Sequence, residues 1–487
     1  MDIKYIIKSF LESKKNSNVI LELEASLLSD DEPCILSSIG AVQSLFEQIF
    51  NQKMLKVDGL DNVQEKYRIW LLDRYNDFTT HLLNYLSHNN EEIQKAALNA
   101  VVKFVQLETK EPLKIVSSGS WYFPKALFER IVNEMTSQDI DQRYLITEFK
   151  RFTSFDDVKM YLLKSILHTF EKADKVTDVF LNNCFQLLCM LKMPTFSEQK
   201  EIPNTLGFQE GVETSFHLKK KLYIKLFSTV WVQFLHFQLP PLLINKVLVI
   251  LHKKVIPYLQ NPCLMTDFLT DSYNKGGITS LLALHGLFIL MEKYNVEYPD
   301  FFFKLYALFD ESIINGKFST KFFYLSDIFL SSTHLPSYTV AAFVKKLCRI
   351  SLNSKADSIL KIIPFVCNML IRHPTLVELI HRKDPKELEK DPYDFLAADP
   401  AESRAIESSL WEIKILQSHV IPVIARKAKI INSDLPKLEF DLSKLLAVSM
   451  NNLYENERKR KFTDAPLAIS KACKDEDWWI LSNNCIL

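Results

Sequence analysis

The sequence predicts an all-α protein, a HEAT-like or armadillo-like α-solenoid of stacked helical hairpins. Three observations carry this. Glycine is scarce, 9 in 487 residues, against about 7% in an average chain. Tight hairpins and phosphate-cradling loops need glycine where φ is positive, so an all-β or dinucleotide-binding fold is disfavoured. Apolar residues recur at three- and four-residue steps in nearly every segment, and strand-like alternation does not stand out. Finally, segments such as "GITSLLALHGLFILM" and "FFFKLYALFD" are apolar most of the way round. Helices of that kind must be covered on several sides, which stacked helical hairpins provide. No strict period is visible, so the repeats are expected to be degenerate.

The elements follow in order. "MDIKYIIKSFLESKK" interrupts its apolar run with Lys8 and Glu12, unlike a secretory leader. In "NNEEIQKAALNAVVKFV", Ile93, Ala96, Ala97, Ala100, Val101 and Phe104 mark one helical face, and Asn90 stands as its N-cap. "YRIWLLDRYNDFTTHLLNYL" and "VTDVFLNNCFQLLCMLKM" behave likewise. The stretch 194–216 mixes proline, glycine and charge with little periodicity and is expected to be a linker. It would divide an N-terminal helical array, 1–193, from a C-terminal helical domain, 217–462. An aperiodic tail, 463–487, follows. Its Trp478-Trp479 pair is expected to dock on the body or on a partner. The last residues, "NNCIL", place Cys485 one position away from a prenylation box.

Leu226 to Asn245 runs twenty residues without a formal charge, and Gly276 to Met291 sixteen. The first meets the length of a membrane span. It also carries Gln233, His236, Gln238 and Pro240-Pro241, all costly in lipid. Two buried helices broken at the prolines is the reading preferred here. A nuclear-envelope membrane protein is the alternative.

Lys plus Arg equals Asp plus Glu, 59 each. A balanced chain has no long-range attraction for nucleic acid. Direct RNA contact would therefore be local, through Lys219–Lys221 or the basic run Arg458, Lys459, Arg460 and Lys461. That run is also a nuclear-localisation candidate, and equally a solvated helix end. The eight cysteines form no CxxC pair and read as free thiols in a reducing compartment. Phosphate-loop, GxGxxG, HExxH and GxSxG patterns are absent from the sequence. His285, and the pair His373 and His381, have no further ligand at metal-binding spacing. No catalytic residue, cofactor or metal is expected.

One stretch does concentrate charge. From Asp384 to Glu412 nine acids face three bases, a net of −6. Asp-Pro recurs at 384, 391 and 399, and proline drives its predecessor out of the α region, so turns are expected. Asp399, Pro400 and Glu402 read as an N-cap, a first-turn proline and a capping-box partner. The helix they would start carries the stripe Ile406, Leu410, Ile413, Leu416 and Val420. The cluster is then either a solvated turn or a docking surface for a basic partner. The residues taken as partner-binding are Asp391, Tyr393, Asp394, Asp399 and Trp411, although Trp411 also fits a core position.

Four blocks, in order, carry a resemblance. They are "GGITSLLALHGLFILMEKYNVEYPDFFFKLYALFD", "FFYLSDIFLSSTHLPSYTVAAFVKKLCRISL", "IIPFVCNMLIRHP" and "DPYDFLAADPAESRAIESSLWEIKILQSH". Over about 276–431 the chain resembles the CCAAT-binding-factor (CBF) family of nucleolar ribosome-assembly proteins. It departs from the family at His419–Pro422, "HVIP", where an aromatic–His–Pro ending is expected. The resemblance implies a non-enzymatic scaffold of the small-subunit processome in the nucleus and nucleolus. It further implies a heterodimer with nucleolar protein fourteen, serving rRNA processing, subunit assembly and export, with pre-ribosomal RNA contacted indirectly.

Overall fold

The computed structural model describes residues 10, 17–55, 62–113, 121–173, 175–193, 204–207, 219–298, 300–316, 318–332, 335–382, 390–433, 435–446 and 450–459. The protein is all-α, and among the described residues there is no strand. The chain forms two compact units, Met1–Glu297 and Tyr298–Leu487. Of the expected linker 194–216, only Asn204–Gly207 is described, and the expected tail 463–487 lies outside the described residues.

The first unit begins with α1 (Val19–Leu27), α2 (Glu32–Asn51), α3 (Asn62–Asn84) and α4 (Glu91–Lys110). It continues with α5 (Lys125–Met135), α6 (Arg143–Phe149), α7 (Asp156–Lys172) and α8 (Asp178–Met190). Its last helices are α9 (Lys220–His236), α10 (Pro241–Ile250), α11 (Thr266–Asn274) and α12 (Gly277–Tyr294). Helices α2, α4, α6 and α8 pack in succession as one row, and α3, α5, α7 and α9 as a second. Each helix meets the one two places on, as a stack of helical pairs requires. α4 shows why the chain folds so. Asn90 Oδ1 accepts the Glu92 amide at 2.8 Å, and Ile93, Ala97, Ala100, Val101 and Phe104 are fully buried. Leu98 and Val105, off that stripe, are fully buried too, so the helix is covered on several sides.

Polar ties set the connections. Buried Asn183 on α8 accepts the Gln142 amide (3.1 Å) and donates to the Ser137 and Ile140 carbonyls (3.2 and 2.9 Å). One side chain thereby satisfies the turn before α6. Asp157, at the start of α7, accepts the Leu206 amide at 3.0 Å and the Val158 amide at 2.8 Å. This clamps Asn204–Gly207 onto the array. Gly207 lies so close that an added Cβ would stand 2.5 Å from Thr109 Cγ2.

The long uncharged stretch 226–245 is two helices, with α9 ending before Pro240 and α10 starting at Pro241. The second run falls in α12, whose Gly286 allows α11 to approach so closely that a Cβ there would meet Leu269 Cδ2 at 2.8 Å. Among the described residues no helix is long and apolar enough to cross a membrane.

The second unit contains α13 (Phe301–Ala307), α14 (Glu311–Ile314), α15 (Ser319–Phe329), α16 (Ser337–Ser351) and α17 (Ala356–Arg372). After a long irregular segment come α18 (Trp411–Leu416), α19 (Pro422–Ala428), α20 (Leu442–Leu445) and α21 (Met450–Lys459). α17 is its centre, packed against α15, α16, α19, α20 and α21. Phe309, Phe322 and Phe343 form a buried aromatic cluster, Phe309 standing 4.8 Å from each of the others between ring centres. Such pairs add about 0.5–1.5 kcal/mol each beyond area burial.

Candidate protein-docking site

The acidic segment is an irregular loop fastened to α16 from beneath. The expected helix from Pro400 does not form. Residues 400–403 are turn, Arg404 takes a left-handed backbone (φ 51°), and α18 begins only at Trp411. A left-handed residue ends any helical path, so Asp399 caps a turn instead, its Oδ1 accepting the Ala401 amide at 2.9 Å. Glu402 is exposed. Leu410, Ile413 and Leu416 are buried as the stripe predicts, but Ile406 is 36% and Val420 94% exposed. The Asp-Pro turns at 391 and 399 form, Tyr393 N donating to Asp391 Oδ1 at 3.2 Å. The turn expected at Asp384 lies outside the described residues.

What holds the loop is a buried ionic set. Lys345 on α16 is fully buried. Its Nζ lies 2.7 and 2.9 Å from the two carboxylate oxygens of buried Glu412, and 2.6 Å from the Ser409 carbonyl. Asp391 Oδ2 is 3.2 Å away. An ammonium has three protons, and three acceptor groups surround this one. One helical turn on, Arg349 Nη2 reaches Asp391 Oδ2 at 3.1 Å, and its Nε lies 3.5 Å from Glu412 Oε1. Two cations and two carboxylates thus cancel. Trp411 covers them: its indole N–H donates to Asp391 Oδ2 at 2.7 Å. Lys345 Nζ and the Arg349 guanidinium stand 5.2 and 4.6 Å from its ring centre. Cation–π contacts contribute about 0.5–1 kcal/mol at exposed sites and about 2 kcal/mol when desolvated, as at buried Lys345. Ser408 Oγ completes the set with a 2.5 Å bond to Asp391 Oδ1.

The two carboxyls respond oppositely. Burial pushes Glu412 above its ordinary value, with Lys345 opposing. Burial would raise Asp391 too. Hydrogen bonds from Ser408, Trp411 and the Tyr393 amide, together with the Lys345 charge, hold it down at about 2. Further anchors are the Arg382 guanidinium, donating to the Ile406 and Ser408 carbonyls at 2.9 Å, and the Leu410 amide, donating to the Leu379 carbonyl.

The five residues taken from sequence therefore separate. Tyr393 is buried, its hydroxyl 3.1 Å from that of Tyr306, and Asp391 and Trp411 are spent inside the ionic set. Asp394 and half-buried Asp399 lie on the outer side, with Phe395 41% and Leu396 88% exposed between them. Sequence reasoning did not single out Lys345 and Arg349. Their i,i+4 spacing on an apolar helix was the available signal. Arg458 and Lys459 are exposed at the end of α21, while Arg460 and Lys461 lie outside the described residues. Lys219–Lys221 is exposed at the start of α9. His285 has a neighbour that its sequence context did not indicate, His252, with ring centres 4.3 Å apart. Among the described residues no group of three or more His, Cys, Asp or Glu could hold a metal.

The fold is that of an all-α helical-repeat protein, and the comparisons agree in kind. Residues 280–428 match the CBF/Mak21 family, and residues 1–175 match the Nucleolar complex protein 4-like TPR repeats. The chain is 36% identical to the Nucleolar complex protein 4 homolog of Gallus gallus, over 95% of this chain and 94% of that protein. It is 37% identical to homolog B of Xenopus laevis (96% and 92%) and 35% to the Homo sapiens protein (93% and 91%). The chain belongs to the nucleolar complex protein 4 family, with a CBF/Mak21 domain in its C-terminal half.

Proposed function

We propose that the chain is a non-enzymatic scaffold in nucleolar ribosome biogenesis. As a small-subunit processome component it would form a heterodimer with nucleolar protein fourteen and serve small-subunit rRNA maturation, subunit assembly and export. Family membership supports the nucleolar setting. The observation that carries the binding role is the division of labour in the 391–412 loop. Its inner carboxylates, Asp391 and Glu412, form a neutral ionic set with Lys345 and Arg349, and its outer side offers Asp394, Phe395, Leu396 and Asp399. An apolar tip between carboxylates suits a partner segment that pairs an apolar anchor with basic neighbours.

The test is co-purification with nucleolar protein fourteen of an Asp394→Asn, Leu396→Ser, Asp399→Asn variant. Asparagine keeps the acceptors used by the Leu396 and Ala401 amides, so the turns survive while charge and anchor go. Loss of the partner with an unchanged melting curve is expected. Undiminished co-purification removes this loop from the interface.

A further inference from the structure

The first unit carries a second surface with its own chemistry, independent of the 391–412 loop. A groove of about 590 Å³ opens between the C-terminal ends of α6 and α8 and the chain beyond α10. There the helix widens into a π-turn, Leu251–Val255, a geometry that recurs at functional sites. Lys150, Lys192, Lys253 and Lys254 line the groove, and no carboxylate does. Among the described residues none of these four lysines is in an ion pair. All four are exposed, and the floor between them is apolar, with buried Phe185 and Leu191. The Lys254 charge reaches inside: burial pushes the Cys189 thiol up to about 11, and Lys254 draws it back.

The basic–apolar character continues outward along α10. Leu242, Lys246, Val249 and Lys253 are all exposed, at steps of four, three and four residues, which places them on one face. Leucine and lysine thus alternate with valine and lysine along a line that runs into the groove. Unpaired cations over an apolar floor attract a ligand that is both anionic and oily. We propose that this surface docks an acidic amphipathic helix of a partner protein, with Glu or Asp meeting the lysines and aliphatic side chains on the floor. Single-stranded RNA fits less well. Base stacking needs exposed rings or arginine planes. The lining holds no arginine, and of its two rings Phe185 is buried, leaving Tyr258.

The experiment uses the full chain and a fluorescein-labelled synthetic helix of about 18 residues, roughly five turns, with Leu and Glu at three- and four-residue steps. Anisotropy is read at physiological salt. Saturable binding is expected. It should weaken about tenfold or more for the same composition in scrambled order, and likewise for Lys253→Glu/Lys254→Glu with its melting curve unchanged. Lys150→Gln/Lys192→Gln reads the same surface from its other wall and should weaken binding in the same direction. The proposal is overturned if the ordered peptide does not bind, or if it binds no better than the scrambled one. It is equally overturned if both lysine variants bind undiminished, or if a uridine oligonucleotide of equal charge binds the intact chain as tightly as the peptide.

Discussion

Two aspartates, one in each unit, do the same mechanical task by opposite electrostatics. Asp157 clamps Asn204–Gly207 to α7, and Asp391 clamps the acidic loop to α16. Burial lifts Asp157 to about 6, and the Val158 and Leu206 amides only moderate it. Asp391 is held at about 2. Among the described residues Asp157 has no cationic partner, whereas Asp391 has Lys345 and Arg349. Backbone dipoles satisfy a carboxylate's hydrogen bonds without returning all of its lost hydration. Cations and charge-assisted donors do both. The first clamp is therefore strained when ionised, and the second is strongest when ionised.

The largest effect that could break this contrast is removal of Lys345. Lys345→Ala leaves Glu412 fully buried, with Arg349 at 3.5 Å as its remaining cation among the described residues. Breaking a buried pair from one side costs about 3–5 kcal/mol. The second unit should unfold at markedly lower urea, read by a probe in that unit. A loss under about 1 kcal/mol would show the set to be no better than a surface pair.

Trp411→Phe tests the donors separately from the cations. The ring stays over Lys345 and Arg349 while the indole N–H to Asp391 is lost. A hydrogen bond to a charged group is worth about 1.5–3 kcal/mol. The pH dependence sharpens the reading. A carboxyl held below its ordinary value of 3.8 contributes stability that is complete above that pH and lost as pH falls toward about 2. With the indole donor gone, Asp391 titrates nearer its ordinary value. The loss on acidification should then begin from a lower plateau and span a narrower window, as urea midpoints between pH 2 and 5 would record.

Asp157→Asn gives the opposite sign. A carboxyl raised in the folded state binds more protons there than when unfolded, so stability falls as pH rises from 3.8 to about 6 and is level above. The asparagine variant should lose that decline. Amide exchange at Leu206, measured from pH 4 to 7 and corrected for intrinsic rates, reports it directly. A wild-type clamp whose opening is independent of pH would remove the contrast between the two aspartates.

How much of this was legible in the sequence differs by element. α4, the break at Pro240-Pro241 and the Asp-Pro turns at 391 and 399 were readable, because periodicity, capping and proline act over a few residues. The helix expected after Pro400 failed for a tertiary reason. Locally the capping signal was sound, but Ser408 and Trp411 converge on Asp391, which meets Lys345, and the chain must turn back through Arg404 to bring them together. A motif scan searches for clustered acids, and so it found the loop. It could not find that Lys345, sixty-seven residues from Glu412, cancels the charge. The exposure of Val420, in the position where the family resemblance implies an aromatic residue, was likewise invisible to a stripe count.

The smallest expected effect on stability separates the loop's two faces. Leu396 is 88% exposed, and surface substitutions away from special features stay within about 0.5 kcal/mol. Leu396→Ser should therefore leave the urea midpoint unmoved. Tyr393, only three residues away in sequence, is buried against Tyr306 and should not tolerate the same change. If Leu396→Ser destabilises the second unit as Tyr393→Ser does, the leucine is covered within the chain and the loop has no free outer face. If it is neutral, Leu396 has no structural duty within the chain, as the proposed contact requires.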